Sequence, residues 1–124
     1  MTEAEHRRVV IVDDDPAVLE SFRFLLDAMG HIAQTFASAA DFLQADVRRP
    51  YCLILDHHMP RMTGLELVEN LRHSGVDIPI LLVTGSPSPA IVARAAVLGC
   101  KALEKPPSED DISAFIEQAR LTRP

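Results

Sequence analysis

The sequence predicts an α/β fold in which a five-stranded parallel sheet is covered by helices on both faces. Apolar runs of strand length alternate five times with amphipathic patterns of helical period, and this alternation is typical of right-handed βαβ units. The run at 52–55 (CLIL) is apolar throughout, as expected of a strand buried on both faces. Polar residues follow most of these strands directly, so they should meet at the carboxyl edge of the sheet, where ligands bind in such folds.

The composition restricts the class of protein. A chain of 124 residues with 48% hydrophobic and 24% charged residues is expected to form one globular domain with a single core. Its net charge of -6 argues against a nucleic-acid-binding surface. Because no apolar stretch reaches bilayer length and the first residues lack a secretory signal, we expect a cytoplasmic protein without membrane contact. Cys52 and Cys100 lie in apolar surroundings and should be buried free thiols.

The first half of the chain predicts two strand–helix units. The β-branched run at 8–12 is the first strand, and Pro16 opens a helix whose apolar stripe continues to Met29 before Gly30 ends it. Residues 31–36 form a second, weaker strand. Ser38 caps a short helix through roughly Ala45.

The second half predicts three more units. The central strand at 52–55 leads into Asp56, and Thr63 caps a helix that ends near residues 74–75. A strand at 78–83, a loop at 86–89, a helix at 91–98 and a strand at 100–103 follow. Ser108 and Asp111 match a capping box for the last helix, which should end near Arg120. We therefore expect a domain over residues 8–121, with tails at 1–7 and 122–124.

Five polar residues should meet at the carboxyl edge of the sheet, because each follows its own strand: Asp13, Asp14, Asp56, Thr84 and Lys105. Three neighbouring carboxylates repel one another unless a cation lies among them, and Mg²⁺ prefers carboxylates, waters and phosphate oxygens. Lysine and hydroxyl groups suit phosphoryl oxygens. A carboxylate among such partners can act as a nucleophile and become an acyl phosphate.

Simpler interpretations compete at several of these positions. Asp13 and Asp14 could cap the first helix, but Asp15 before Pro16 already suits that role, which favours metal binding by the other two. His57 and His58 invite a transition-metal interpretation. Adjacent residues on a loop rarely face one metal, so a solvated loop is the stronger hypothesis, in which these side chains lie near Asp56 and influence an acyl phosphate there.

Taken together, the motifs resemble those of a known family. Residues 12–15 (VDDD), 55–60 (LDHHMP), Gly64, 84–85 (TG) and 104–106 (EKP) are similar to the receiver domain of two-component response regulators. The resemblance covers nearly the whole chain, and the sequence looks closest to receivers of nitrogen-fixation type transcription regulators. It implies a flavodoxin-like (βα)5 fold with a doubly wound parallel sheet in strand order 2-1-3-4-5.

The resemblance also implies a magnesium site. It makes Asp14 a direct ligand and Asp13 a mainly water-mediated one. Asp56 completes the carboxylate set, and His58 contributes its backbone carbonyl.

A phosphorelay role is implied by the same resemblance. Asp56 is then the phosphoacceptor, Thr84 the switch hydroxyl and Lys105 the phosphate-contacting lysine, with a cis bond from Lys105 to Pro106. The donor is a sensor histidine kinase or a phosphotransfer protein, and receivers often dimerise through the fourth helix, fifth strand and fifth helix. The chain is then a signalling domain that assists its own phosphorylation and dephosphorylation, not an enzyme.

Two departures from the family pattern leave alternatives open. Ala102 stands where receivers commonly carry an aromatic residue that follows Thr84, and the segment from Gly99 to Lys105 is one residue shorter than expected. A receiver-fold scaffold with degenerate switching is therefore a second hypothesis. A third is a phosphatase of the haloacid dehalogenase type, but His58 occupies the place where that family needs a second aspartate.

Overall fold

The structure, a computed structural model, describes residues 8–45, 47 and 50–122 as one sheet flanked by helices. All strand pairs are parallel, in the order β2-β1-β3-β4-β5. This order confirms the predicted flavodoxin-like topology. The strands are β1 (Arg8–Val12), β2 (Ile32–Phe36), β3 (Cys52–Asp56), β4 (Ile80–Thr84) and β5 (Lys101–Glu104). The helices are α1 (Pro16–Ala28), α2 (Ala39–Gln44), α3 (Gly64–His73), α4 (Pro89–Val97) and α5 (Glu109–Thr122).

The core has two halves, one on each face of the sheet. Alternate residues of the central strands point to opposite faces, so Leu53 and Leu55 pack on one side and Cys52 and Ile54 on the other. Helices α2, α3 and α4 cover the first face, and α1 and α5 cover the second. Every residue of β3 is buried, which explains the uninterrupted apolar run and confirms the central position of this strand.

Local hydrogen bonds fix where several helices begin. The Asp15 side chain accepts from the Ala17 N–H at 2.9 Å, so Asp15 caps α1 as predicted. Thr63 and Glu66 form a reciprocal capping box at α3. Ser108 and Asp111 exchange the same pair of bonds before α5. These caps confirm the predicted starts.

Several element boundaries differ from the prediction by one or two residues, and the structure explains two of these differences. Strand β4 begins at Ile80 rather than Ile78, because the Ile78 carbonyl accepts from the Arg72 guanidinium and Pro79 has no N–H to donate. Helix α4 begins at Pro89, within the segment predicted as a loop. Ser88 caps it, and proline is well suited to the first helical position because its missing N–H has no partner there.

The termini lie largely outside the described residues. The expected tails at 1–7 and 122–124 fall there except for Thr122, at which α5 ends, two residues beyond Arg120. Helix α5 is the longest of the described helices, with 14 residues. Within the described ranges, no helix has the length and apolarity required to span a bilayer.

Candidate functional site

Three carboxylates come together at the carboxyl edge of the sheet, as the sequence predicted. Oxygen atoms of Asp13, Asp14 and Asp56 all lie within 4.8 Å of one another. They meet because β1 and β3 are neighbours and pair Val12 with Leu55, so the residues that follow emerge side by side. Asp13 and Asp56 are buried, at 2% and 5% exposure, whereas Asp14 is exposed. The cluster therefore has a buried floor and one carboxylate open to solvent.

Lys105 bridges the two buried carboxylates. Its Nζ lies 3.1 Å from Asp13 Oδ2 and 3.1 Å from Asp56 Oδ1. The Lys105 N–H donates to the Thr84 carbonyl, which fixes the residue at the end of β4, and the predicted cis bond to Pro106 is present. Burial lowers the pKa of Lys105, but the bonds to Asp13 and Asp56 outweigh it, so the pKa lies above its usual value. The ammonium group stays charged at neutral pH.

The protein's own groups only partly offset the cost of burying the negative charge of Asp13. Burial raises the pKa of Asp13, and this effect exceeds the opposing hydrogen bonds from the Asp15 N–H and from Lys105. One ammonium group thus faces three carboxylates. A further positive charge would relieve the remaining repulsion.

The donor set fits a hard divalent cation. Mg²⁺ binds carboxylate oxygens and keeps several waters. Asp13, Asp14 and Asp56 offer oxygen donors close together, with Asp14 reachable from solvent. Neither thiol joins them, since Cys52 and Cys100 are buried elsewhere in the core and do not form a disulfide, as predicted. The chemistry of the cluster therefore matches the predicted ion.

The predicted switch hydroxyl is buried and already engaged. Thr84, at the end of β4, is fully buried. Its Oγ1 accepts from the Ser86 N–H at 3.2 Å and lies 2.9 Å from His58 Nε2. The His58 N–H donates to Asp56 Oδ1 at 3.4 Å. His58 thus joins the Asp56 carboxylate, through its backbone N–H, to the Thr84 hydroxyl, through its ring, and sequence reasoning missed the ring contact.

The neighbouring His57 forms hydrogen bonds that hold the loop in place and does not act with His58 as a pair of metal ligands. Its N–H donates to the Val83 carbonyl at 2.9 Å, and its Nδ1 accepts from the Leu65 N–H at 3.4 Å. Burial lowers the pKa of His57, and the adjacent His58 lowers it further. A neutral ring can accept through Nδ1, so this histidine attaches α3 to the end of β3.

Close packing under the loop explains Gly64. A Cβ at this position would lie 2.6 Å from the Asp56 carbonyl oxygen and 2.6 Å from Leu82 Cδ1. Only glycine lets α3 begin this near Asp56. Within the same loop, Arg61 adopts a φ of 71°, a left-handed conformation that is unfavourable for a side chain with a Cβ.

The position expected for an aromatic residue lies close to Thr84 in the sheet. Ala102 pairs with Leu82, two residues before Thr84 on the adjacent strand. Paired residues of parallel strands point to the same face, and so do residues two apart, so Ala102 and Thr84 share a face. Ala102 is half-buried and packs against the core cluster of that face. Its methyl group offers no polar partner for the hydroxyl.

Comparisons with known proteins match nearly the whole chain to one family. The sequence model of a family described as the response regulator receiver domain matches residues 9–117. The transcriptional regulatory protein FixJ of Bradyrhizobium diazoefficiens is 35% identical over 113 residues, which are 90% of this chain and 55% of FixJ. The response regulator MprA of Mycobacterium avium is 38% identical over an alignment covering 94% of this chain and 53% of MprA.

Solved structures extend the likeness to the backbone. A crystal structure described as FixJ-N superposes with a TM-score of 0.84 at 32% sequence identity, covering 100% of this chain and 98% of that one. By contrast, the chain spans about half the length of the curated relatives. The similarity therefore concerns one domain of those longer proteins.

Proposed function

Because this chain belongs to the family of response regulator receiver domains, we propose that it receives a phosphoryl group on Asp56 and thereby switches its interactions. The observation that carries the proposal is the geometry of Lys105, whose Nζ lies 3.1 Å from carboxylate oxygens of both Asp13 and Asp56. A buried nucleophilic carboxylate next to a fixed cation is suited to in-line phosphoryl transfer.

The reaction requires little covalent chemistry from the protein. An Asp56 oxygen attacks phosphorus, the phosphorus–nitrogen bond to the donor's imidazole breaks, and the imidazole leaves with the electron pair and takes up a proton from solvent. No general base is needed, because a carboxylate is ionised at neutral pH. Lys105 stabilises negative charge on a phosphoryl oxygen, and the Thr84 hydroxyl is the second donor at the site.

The metal site supports the same chemistry. Asp13, Asp14 and Asp56 would hold Mg²⁺, and the His58 backbone carbonyl is the fourth proposed donor. The ion supplies positive charge that offsets the repulsion between the acceptor and an incoming phosphoryl group. The protein's own contribution is to fix the acceptor on β3 and the lysine after β5.

We further propose that the donor is a sensor histidine kinase or a phosphotransfer protein. The domain at 8–121 then acts as a phosphoacceptor rather than an enzyme with a separate substrate. Helix α4 exposes Val92 and Val97, at 47% and 74%, which supports dimerisation through α4, β5 and α5. Since the relatives named above are transcription and response regulators, we also propose a cytoplasmic location.

A scaffold with degenerate switching is the second candidate, and Ala102 is the observation that favours it. Such a protein would accept phosphate without changing its partners. The phosphatase alternative is weak, because His58 bonds Thr84 where a general-acid aspartate would be needed.

The test is intact mass after incubation with acetyl phosphate and Mg²⁺. We expect one phosphate-sized adduct on the unmutated chain and none on Asp56→Asn, which retains the shape of the acceptor. Asp41→Asn, an exposed acid in α2, is the matched control and should keep the adduct. An adduct of equal yield on Asp56→Asn would contradict the assignment of the acceptor.

A further inference from the structure

The hydroxyl of Thr84 has a partner that competes with any phosphoryl group at Asp56. A threonine hydroxyl carries one proton and two lone pairs. The Ser86 N–H occupies one lone pair at 3.2 Å, and His58 Nε2 lies 2.9 Å from the same oxygen. If Nε2 is unprotonated, the hydroxyl donates its only proton to it. If Nε2 carries a proton, it fills the second lone pair. Both tautomers hold Thr84 toward His58, but only the one with Nε2 unprotonated uses the proton that a phosphoryl oxygen would need.

The backbone and ring of His58 are themselves held in place. Its N–H donates to Asp56 Oδ1 at 3.4 Å, so the residue is anchored on the acceptor. Its ring meets the His57 ring edge to face, with centroids 5.1 Å apart and planes at 70°. His57 is fixed in turn by bonds to Val83 and Leu65. The contact with Thr84 therefore comes from a supported side chain.

Strand β5 reads KALE and therefore contains no aromatic residue. The face that Thr84 shares with Ala102 thus receives no aromatic side chain from β5. In this chain the polar side chain that meets the switch hydroxyl comes from the loop after β3 instead of from β5. The residue that restrains Thr84 and the residue that accepts phosphate thus lie two positions apart, one in the loop after β3 and the other at the end of β3.

We propose that His58 is a positioning residue that holds Thr84 in the unphosphorylated state and competes with the phosphoryl group for its hydroxyl. This inference rests on the proposed function of Asp56. With Nε2 unprotonated, the Thr84 hydroxyl donates its only proton to His58, so it must release the ring before it can donate to a phosphoryl oxygen. The strength of the His58–Thr84 bond then sets how completely the switch turns, a role commonly filled in receivers by coupling to an aromatic residue.

The test measures binding of beryllofluoride, a mimic of a carboxylate-bound phosphoryl group, by calorimetry in excess Mg²⁺. His58→Leu removes the bond from the unliganded state, so we expect binding about threefold to tenfold tighter than in the parent, the range that one net hydrogen bond gives. His58→Gln keeps an amide within reach of Thr84 and should restore binding to within about twofold of the parent. His73→Leu, the same chemical change at an exposed position of α3, should leave binding unchanged.

A double-mutant cycle separates competition for the hydroxyl from easier access to the site. Thr84→Val is isosteric and lacks the hydroxyl, so in this background His58→Leu should no longer alter affinity. An equal gain in both backgrounds, or no gain in either, would overturn the inference while leaving the role of Asp56 intact. If the parent chain neither binds beryllofluoride nor gains an adduct from acetyl phosphate, the proposed function itself fails, and this inference with it.

Discussion

At the residue scale, the site contains groups whose burial or backbone conformation is energetically unfavourable for the individual residue. Two buried carboxylates share one lysine, and the pKa of Asp13 lies above its usual value because burial outweighs its hydrogen bonds. Arg61 adopts a conformation that favours glycine. Such features concentrate where function, rather than stability, has selected the residue. Each of them can be altered singly.

Replacing Arg61 with glycine should stabilise the protein. Its φ of 71° lies in the left-handed region, where a Cβ costs about 1 kcal/mol, although glycine also increases the entropy of the unfolded chain. We expect a net gain of about 0.5 kcal/mol in the free energy of unfolding, measured in urea. Arg61→Ala, which keeps the Cβ, is the matched control and should show no gain. A loss of stability in Arg61→Gly would show that the arginine side chain makes compensating contacts.

Cys100 should make stability depend on alkaline pH. Burial raises the pKa of its thiol from 9.0 to about 11, with Arg72 opposing the shift. Because the pKa of the Cys100 thiol is higher in the folded state, the contribution of this residue to the free energy of unfolding is fully present below the unfolded-state pKa. It is lost as pH rises from about 9 to 11. The free energy of unfolding should fall by at most about 3 kcal/mol over this pH range.

The measurement compares unfolding free energies of the parent chain and Cys100→Ala between pH 8 and 11. The variant lacks the thiol, so its stability should fall less steeply with pH, although it starts lower because a small cavity forms. Parallel pH profiles would contradict the raised pKa.

At the scale of elements, the start of α3 is fixed by local capping and by one close approach. Thr63 and Glu66 satisfy orphan N–H groups of the helix. Gly64 then lets the helix lie directly against the Asp56 carbonyl. Helix α3, one of the three helices on its face of the sheet, is thereby positioned by the same loop that carries His58.

Gly64→Ala should disturb both the fold and the acceptor. Its Cβ would lie 2.6 Å from a backbone oxygen that cannot rotate away, so α3 must shift, at a cost of about 1–3 kcal/mol in stability. We expect a lower Tm and a reduced rate of adduct formation with acetyl phosphate. Gly85→Ala is the control, because nothing lies within 4 Å of a Cβ there. Equal Tm values for both variants would argue against the close packing.

At the scale of the whole molecule, the edge of the sheet stores electrostatic repulsion that a cation can relieve. Asp13, Asp14 and Asp56 arise on β1 and β3, and Lys105 follows β5. A cation that binds these residues in their folded arrangement must therefore stabilise the entire domain, since the unfolded chain does not bring the carboxylates together.

Titration with Mg²⁺ should raise the Tm. At ten times the Kd the gain is about 1.4 kcal/mol, or roughly 5 °C for a domain of this size. The double variant Asp13→Asn/Asp14→Asn should lose the response. It should also be more stable than the parent in metal-free buffer, because the raised pKa of Asp13 shows that its charged form is unfavourable when folded. A parent Tm that stays constant across millimolar Mg²⁺ would contradict the site.

Much of this architecture was readable from sequence because its determinants are local. Helix caps act within three or four residues, as at Asp15 and Thr63, and strand burial appears as an unbroken apolar run, as in β3. Boundaries were less predictable where a distant group intervened. The start of β4 depends on Arg72, whose side chain takes the Ile78 carbonyl.

The sequence by itself determined the five βα units and the set of polar residues that meet at the carboxyl edge, whereas the strand order was implied only by the resemblance to the family. It could do so because side-chain periodicity, capping and crossover handedness are rules of short range or of topology. Only the tertiary structure decided that Lys105 bridges Asp13 and Asp56 and that Asp14 is the exposed member of the three carboxylates. The hydrogen bond between His58 and Thr84 was likewise decided only there. The two contacts join residues that lie far apart in the sequence, and the exposure of Asp14 depends on what surrounds it in the fold, so no local pattern encodes them.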